Sequence, residues 1–166
     1  ESAKSVDNNS IYDIASITKI LSVTPIAMKL IDQRKLSLEH TLDQYYPSLY
    51  KKEIGKISIR HLLTHSSGLK PFIEFYRQNP KMDKEEMLNR IFSTKLDFLP
   101  GEKMQYSDLG IIILMDVIEK ITNVPLDRLC NRWVFNPIEM SSTSYNPSSA
   151  IVGNIAPTEE DNYFRN

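Results

Sequence analysis

Ser16-Ile17-Thr18-Lys19 sets a hydroxyl and an amine three positions apart, on one side of a single turn if Ser16 opens a helix. A serine hydroxyl is a weak nucleophile until a neighbour takes its proton, and a lysine can take it when desolvation or a second cation lowers its pKa. The positive end of the helix would then lie under a developing oxyanion. The plainer reading is a capping serine beside a solvated lysine. Ser-x-x-Lys also occurs at Ser48 to Lys51 and at Ser67 to Lys70, so the pattern alone selects nothing. Context favours the first, which lies between an apolar segment and a long amphipathic run, whereas Ser48 follows Pro47 and Ser67 precedes Gly68.

Tyr106-Ser107-Asp108 follows the Pro100-Gly101 turn and precedes a strongly apolar run, so the Tyr106 phenol would project from a loop anchored to rigid structure and could relay a proton. Otherwise Asp108 caps the next helix while Tyr106 packs at the surface. His61 and His65 have the i, i+4 spacing of a metal pair. A zincin pattern needs Glu directly after the first histidine; Leu62 stands there and no third ligand is evident. The sequence therefore predicts no metal and no cofactor, with His65 bonding across the Ser66-Ser67-Gly68 turn. Ile111 to Leu114 and Trp133 read as core.

The elements that must position these groups are mostly helical. Ile11 to Ile14 reads as a short extended entry. Apolar residues from Ile17 to Ile31 then recur at helical spacing, with Pro25 predicting a bend near Leu21. Lys35 to Pro47 reads as loop with a short ordered turn. Ser58 caps a helix running on to Gly68, and Asp83 with Glu86 forms a capping box for a helix ending near Phe92. Leu109 to Ile121 is a third helical run, and Pro125 starts another through Trp133 that Asn136-Pro137 ends. Ser141 to Asn166 reads as loop, with one short strand at Thr143 to Tyr145.

At 166 residues, 41% hydrophobic and 25% charged, the composition is globular and one domain is the expectation. A formal charge of -1 gives no basic face for nucleic acid. The single Cys130 forms neither an internal disulfide nor a thiolate cluster. The longest apolar run, Leu109 to Met115, falls far short of the ~20 residues a membrane span needs, and no signal-peptide pattern is visible near Glu1.

Three blocks in order carry a resemblance: Tyr12-Asp13-Ile14-Ala15-Ser16-Ile17-Thr18-Lys19, the run from Ser58 to Leu69, and Pro100-Gly101 through Tyr106-Ser107-Asp108. Together they resemble the serine β-lactamase and penicillin-binding-protein-like hydrolases, in particular the class C β-lactamase, D-alanyl-D-alanine carboxypeptidase and esterase branch. The resemblance implies Ser16 as the acylated nucleophile, Lys19 as proton acceptor and Tyr106 as second proton relay, with Asp108 at a substrate-binding position. The implied substrate is a small molecule or peptide: a β-lactam, a D-Ala-D-Ala peptide or a simple ester. The implied location is extracytoplasmic, in the bacterial periplasm or cell envelope. A non-catalytic module binding cell-wall peptide or a partner protein is the alternative.

Two departures shape the expectation. The family's tyrosine motif commonly ends in Asn, and Asp108 replaces that amide with a group that only accepts when ionised, as in esterase-like members. Ile155-Ala156-Pro157-Thr158-Glu159 is also similar to a segment of members fused to glycoside hydrolase family 3 N-acetylglucosaminidase domains. The third motif, Lys-Thr-Gly or His-x-Gly on a sheet strand, does not occur in these residues. The resemblance thus implies that residues 1–166 are one partial domain: the mainly α, helical portion of a β-lactamase/transpeptidase-like α/β fold with a few short strands, lacking the C-terminal sheet strands. Without the strand's oxyanion donor the segment is expected to be nearly inactive. The uncovered apolar face is expected to favour oligomers.

Overall fold

A computed structural model describes residues 5–79 and 81–157, apart from the side chains of Ala150 and Val152. Where the sequence predicts a bend near Leu21, the chain forms a π turn over Lys19–Val23, in which the Thr24 N–H reaches back to the Lys19 carbonyl. Thr24 Oγ1 donates to the same oxygen at 2.9 Å. The wider turn leaves Pro25 in the first turn of helix α1, Thr24–Asp32, where its missing N–H breaks no bond. Ile26, Ala27 and Leu30 of α1 are buried, while Ile17, Ile20 and Met28 on the other side are exposed.

Helix α2, Leu42–Tyr45, and 3-10 turns at Pro47–Leu49 and Glu53–Lys56 lead to α3, Ile59–Leu63. α3 ends at Leu63 rather than Gly68, because His65 takes a left-handed backbone at φ 53° that a helix cannot propagate. Helix α4 is Phe75–Gln78. Helix α5, Lys84–Phe92, begins as the sequence predicts, with Asp83 accepting from the Glu86 N–H.

Helix α6, Asp108–Thr122, is the axis of the core. Leu109, Ile113, Leu114, Val117 and Ile118 are at most 1% exposed, and the helix packs against α3, the π turn and α7, Leu126–Cys130. Pro125 is the cap of α7 rather than its first residue, and a π turn at Asn131–Phe135 carries the chain past Trp133 into a 3-10 turn at Asn136–Ile138. The short helix α8, Ser149–Val152, follows. Asp116 is 3% exposed within this core and is satisfied by the Tyr46 hydroxyl at 2.7 Å, Lys84 at 2.9 Å and Lys120 at 3.2 Å.

Among the described residues β structure is limited to two isolated bridges, Ile11 with Ile155 in parallel and Thr41 with Ser58 in antiparallel sense. The expected strand at Ile11 to Ile14 therefore shrinks to Ile11, and Thr143 to Tyr145 forms none. A strand needs a paired neighbour, and Ile11 finds only the segment 154–156, bonding Asn154 and Ala156 at 2.9 and 2.7 Å. Thr158 and Glu159 of the segment beginning at Ile155 lie outside the described residues.

Candidate active site

The first block builds a sharp turn. Asp13 Oδ1 accepts the Ala15 N–H at 2.7 Å, and Ala15 adopts φ 44°, a left-handed conformation that a non-glycine residue holds only under strain. Successive i to i+3 bonds follow, Ile17 to Ile14, Thr18 to Ala15 and Lys19 to Ser16, at 2.9–3.1 Å. Ser16 is thereby lifted to the exposed end of the turn, and its backbone N–H has no partner among the described residues. Behind the turn, Ser22 Oγ donates to the Thr18 carbonyl at 2.5 Å. With that proton committed, the Tyr145 hydroxyl donates to Ser22 at 2.7 Å and ties the 141–148 loop to the turn.

Lys19 Nζ lies 3.0 Å from Ser16 Oγ and 2.8 Å from Asp108 Oδ1, with its charge 5.1 Å from the centre of the Tyr106 ring. Its side chain is 17% exposed. Burial, the largest influence, works to lower the Lys19 pKa, but Asp108 and Tyr106 outweigh it by hydrogen bonding and charge and hold it above the ordinary lysine value. At rest Lys19 is an ammonium that donates to Ser16 and forms an ion pair with Asp108. No hydrogen bond among the described residues joins Ser48 to Lys51 or Ser67 to Lys70, and Ser67 is 1% exposed.

Tyr106 is held by the second block. The loop after α3 and the 97–108 loop lie side by side, joined by backbone bonds from Asp97 to Gly68, Gly101 to Ser66, Gln105 to His65 and Asp108 to Pro71 at 2.7–2.8 Å. His65 completes the clamp, its ring 4.5 Å from that of Tyr106 between centroids. Its Nδ1 accepts the Ser107 N–H at 3.2 Å, so the neutral ring carries its proton on Nε2. Burial, then the Lys19 charge, push the His65 pKa below its ordinary value. The bond expected across Ser66-Ser67-Gly68 instead crosses to the other loop. Ser107, fully buried, caps α6 through Gly110 at 3.3 Å and donates to the Lys70 carbonyl at 2.7 Å. Asp108 is released from capping and turned to Lys19.

His61 points elsewhere: it exchanges bonds of 3.2 Å with Ser58 in a capping box closed by an imidazole. The two histidines thus serve different loops, and no cluster of metal-ligating side chains occurs among the described residues. The structure brings Ser16, Lys19, Tyr106 and Asp108 together. Asp13, His65 and Ser107, which sequence reasoning did not single out for the site, hold them there. The signal for His65 was its place in the block from Ser58 to Leu69, and for Ser107 a hydroxyl three residues before Gly110.

A family model described as Beta-lactamase matches residues 1–163. A protein of Salmonella heidelberg (strain SL476) that carries the name of a D-alanyl-D-alanine carboxypeptidase is 29% identical over 150 residues, covering 84% of this chain and 35% of that one. Among solved structures, a class C beta-lactamase mutant is similar with a TM-score of 0.80 at 19% identity, over 92% of this chain and 42% of that one. The D-alanine carboxypeptidase AmpC from Burkholderia cenocepacia gives 0.76 at 22% identity, over 92% and 40%. The two structures share the fold, with the described residues matching its helical part. The chain spans about a third of the length of the curated relatives it matches.

Proposed function

The chain belongs to the serine β-lactamase and penicillin-binding-protein-like family of hydrolases, and from that premise we propose that Ser16 is the nucleophile of an acyl-enzyme mechanism. The observation that carries this reading is Lys19 Nζ at 3.0 Å from Ser16 Oγ, held by Asp108 on one side and the Tyr106 ring on the other. Ser16 Oγ attacks an ester or amide carbonyl, Lys19 receives its proton, and Tyr106 helps deliver a proton to the leaving group. Lys19 can do this only after giving up one of the protons it holds at rest. The Ser16 N–H supplies one donor to the oxyanion, and the part of Asp108 that remains exposed contacts substrate. Water then releases the acyl group.

The substrate class is a β-lactam, a D-Ala-D-Ala peptide or a simple ester, and the place of action is outside the cytoplasm, in keeping with the name of the Salmonella relative. A second oxyanion donor belongs to a sheet strand with Lys-Thr-Gly or His-x-Gly, which these 166 residues do not contain. Residues 1–166 form part of one hydrolase domain. Alone they turn over slower by the ~10²–10³-fold that one oxyanion donor is worth. The test is hydrolysis of a chromogenic cephalosporin, a peptide ending in D-Ala-D-Ala and a nitrophenyl ester by the full natural chain and its Ser16→Ala variant. Turnover of at least one, lost in the variant, is expected. Unchanged turnover by the variant overturns the reading, and retained binding without turnover in either protein favours a non-catalytic binding module.

A further inference from the structure

Resting on the reading of Ser16 as nucleophile, we propose that Asp108 is a positioning residue whose carboxylate stabilises the Lys19 ammonium against its burial and so raises the pH above which Ser16 can be deprotonated. An ammonium has three donors and no acceptor. Lys19 directs one to Ser16 Oγ at 3.0 Å and pairs its charge with Asp108 Oδ1 at 2.8 Å. While it donates to Ser16 it has no lone pair with which to take the Ser16 proton. Asp108 Oδ1 is shielded from solvent and has no hydrogen bond among the described residues, so the Lys19 ammonium at 2.8 Å is the charge that balances it. Neutral Lys19 would therefore leave a buried carboxylate oxygen without its counter-charge, a penalty the resting ion pair avoids.

The other groups facing Lys19 among the described residues bring no second carboxylate to it. From its own turn there is the uncharged Ser16. The 97–108 loop contributes Tyr106, whose ring face lies 5.1 Å away, and Asp108 itself. The loop after α3 contributes His65, kept neutral by burial and by the Lys19 charge. The layer behind holds Ser22, Tyr145 and Cys130, where burial pushes the Tyr145 phenol up to about 12 and raises the Cys130 thiol. Asp108 is thus the one carboxylate facing Lys19 among the described residues, and the upward displacement of the Lys19 pKa against its burial, owed first to Asp108 and then to Tyr106, agrees with that. An amide at position 108 would keep an acceptor for Lys19 and remove the charge.

The experiment uses the full natural chain with Asp108→Asn and Asp108→Glu. Trace acetylation by acetic anhydride across pH 7–12, read by peptide mass spectrometry at Lys19, gives the midpoint of its titration without any catalytic activity. The rate of Ser16 phosphonylation by a fluorophosphonate is followed over the same range. We expect the Lys19 midpoint to fall by about one pH unit or more in Asp108→Asn and to stay near wild type in Asp108→Glu, with the acid limb of Ser16 phosphonylation moving in parallel. An unmoved midpoint in Asp108→Asn overturns the proposal. A midpoint that falls while the Ser16 limb stays in place overturns the link to the nucleophile. Absence of phosphonylation at every pH in all three proteins refutes the nucleophile reading instead, and the acetylation midpoints then decide alone whether Asp108 sets the Lys19 charge.

Discussion

Replacing Gly68 by alanine tests the clamp that presents Tyr106. Gly68 has φ 78°, and a Cβ built on it would lie 2.1 Å from the Phe98 carbonyl oxygen. An alanine forced into the left-handed region costs about 1 kcal/mol. Relieving the clash requires the two loops to part by roughly 1 Å, an overpacking cost of about 1–3 kcal/mol. That movement stretches the 2.8 Å bond from Asp97 N–H to the Gly68 carbonyl, worth about 1 kcal/mol. Together Gly68→Ala should destabilise by about 3–5 kcal/mol, or some 6–20 °C in Tm at about 2–4 °C per kcal/mol for a chain of this size. Because the displaced segment carries Tyr106, Ser16 phosphonylation in the still-folded variant should slow by about 10–10²-fold. Urea unfolding and labelling below the transition measure both effects. Gly153→Ala is the control: its backbone is ordinary at φ -65° and nothing lies within 4 Å of the added methyl, so its change should stay within about 0.5 kcal/mol. A Gly68→Ala protein as stable as Gly153→Ala would refute the argument.

Further predictions follow from the same contacts. Asp116→Ala strands the Tyr46 hydroxyl and should cost about 2–4 kcal/mol in urea unfolding, whereas Asp116→Asn keeps an acceptor and loses only pairs with half-exposed lysines, about 1 kcal/mol. Burial opposes the Asp116 anion, but the Tyr46 and Lys84 hydrogen bonds and the Lys120 charge prevail and depress its pKa. Its contribution is therefore present above the unfolded-state value of about 3.9 and lost as pH falls through the lower folded value. Stability measured from pH 6 to 2 should drop less steeply in Asp116→Asn than in wild type. At His65, which sits at φ 53°, Asn tolerates the backbone while Ala does not; His65→Ala should be the less stable by about 1 kcal/mol, read by thermal unfolding.

What could be read from the sequence was local. Asp83 and Glu86 are three residues apart, so their cap was visible without knowing the fold, and the apolar run after Asp108 could only be a buried helix. One turn was enough to pair Ser16 with Lys19, but two other Ser-x-x-Lys matches have the same spacing, and only the flanking segments and the ordered blocks set this pair apart. The remainder depended on partners distant in the chain. Nothing local to Asp108 announces that Ser107 will take the cap and free the carboxylate for Lys19. The His65 ring finds Ser107 across 42 positions, a pairing set by how the two loops lie together. Pro25 showed that the helix must be irregular, but whether the chain would answer by bending or by widening into a π turn was decided by packing against α6. Ile11 failed to extend into a strand because extended backbone is stabilised by neighbours, and among the described residues it pairs only with the segment 154–156.

The central claim is that Ser16 is the nucleophile, and the most direct measurement is the intact mass of the full natural chain after treatment with a fluorophosphonate, with peptide mapping of the adduct. The account predicts a single phosphonyl adduct on Ser16 that is absent from Ser16→Ala. An adduct that persists in Ser16→Ala, or a wild-type chain that takes up no label at all, would contradict it.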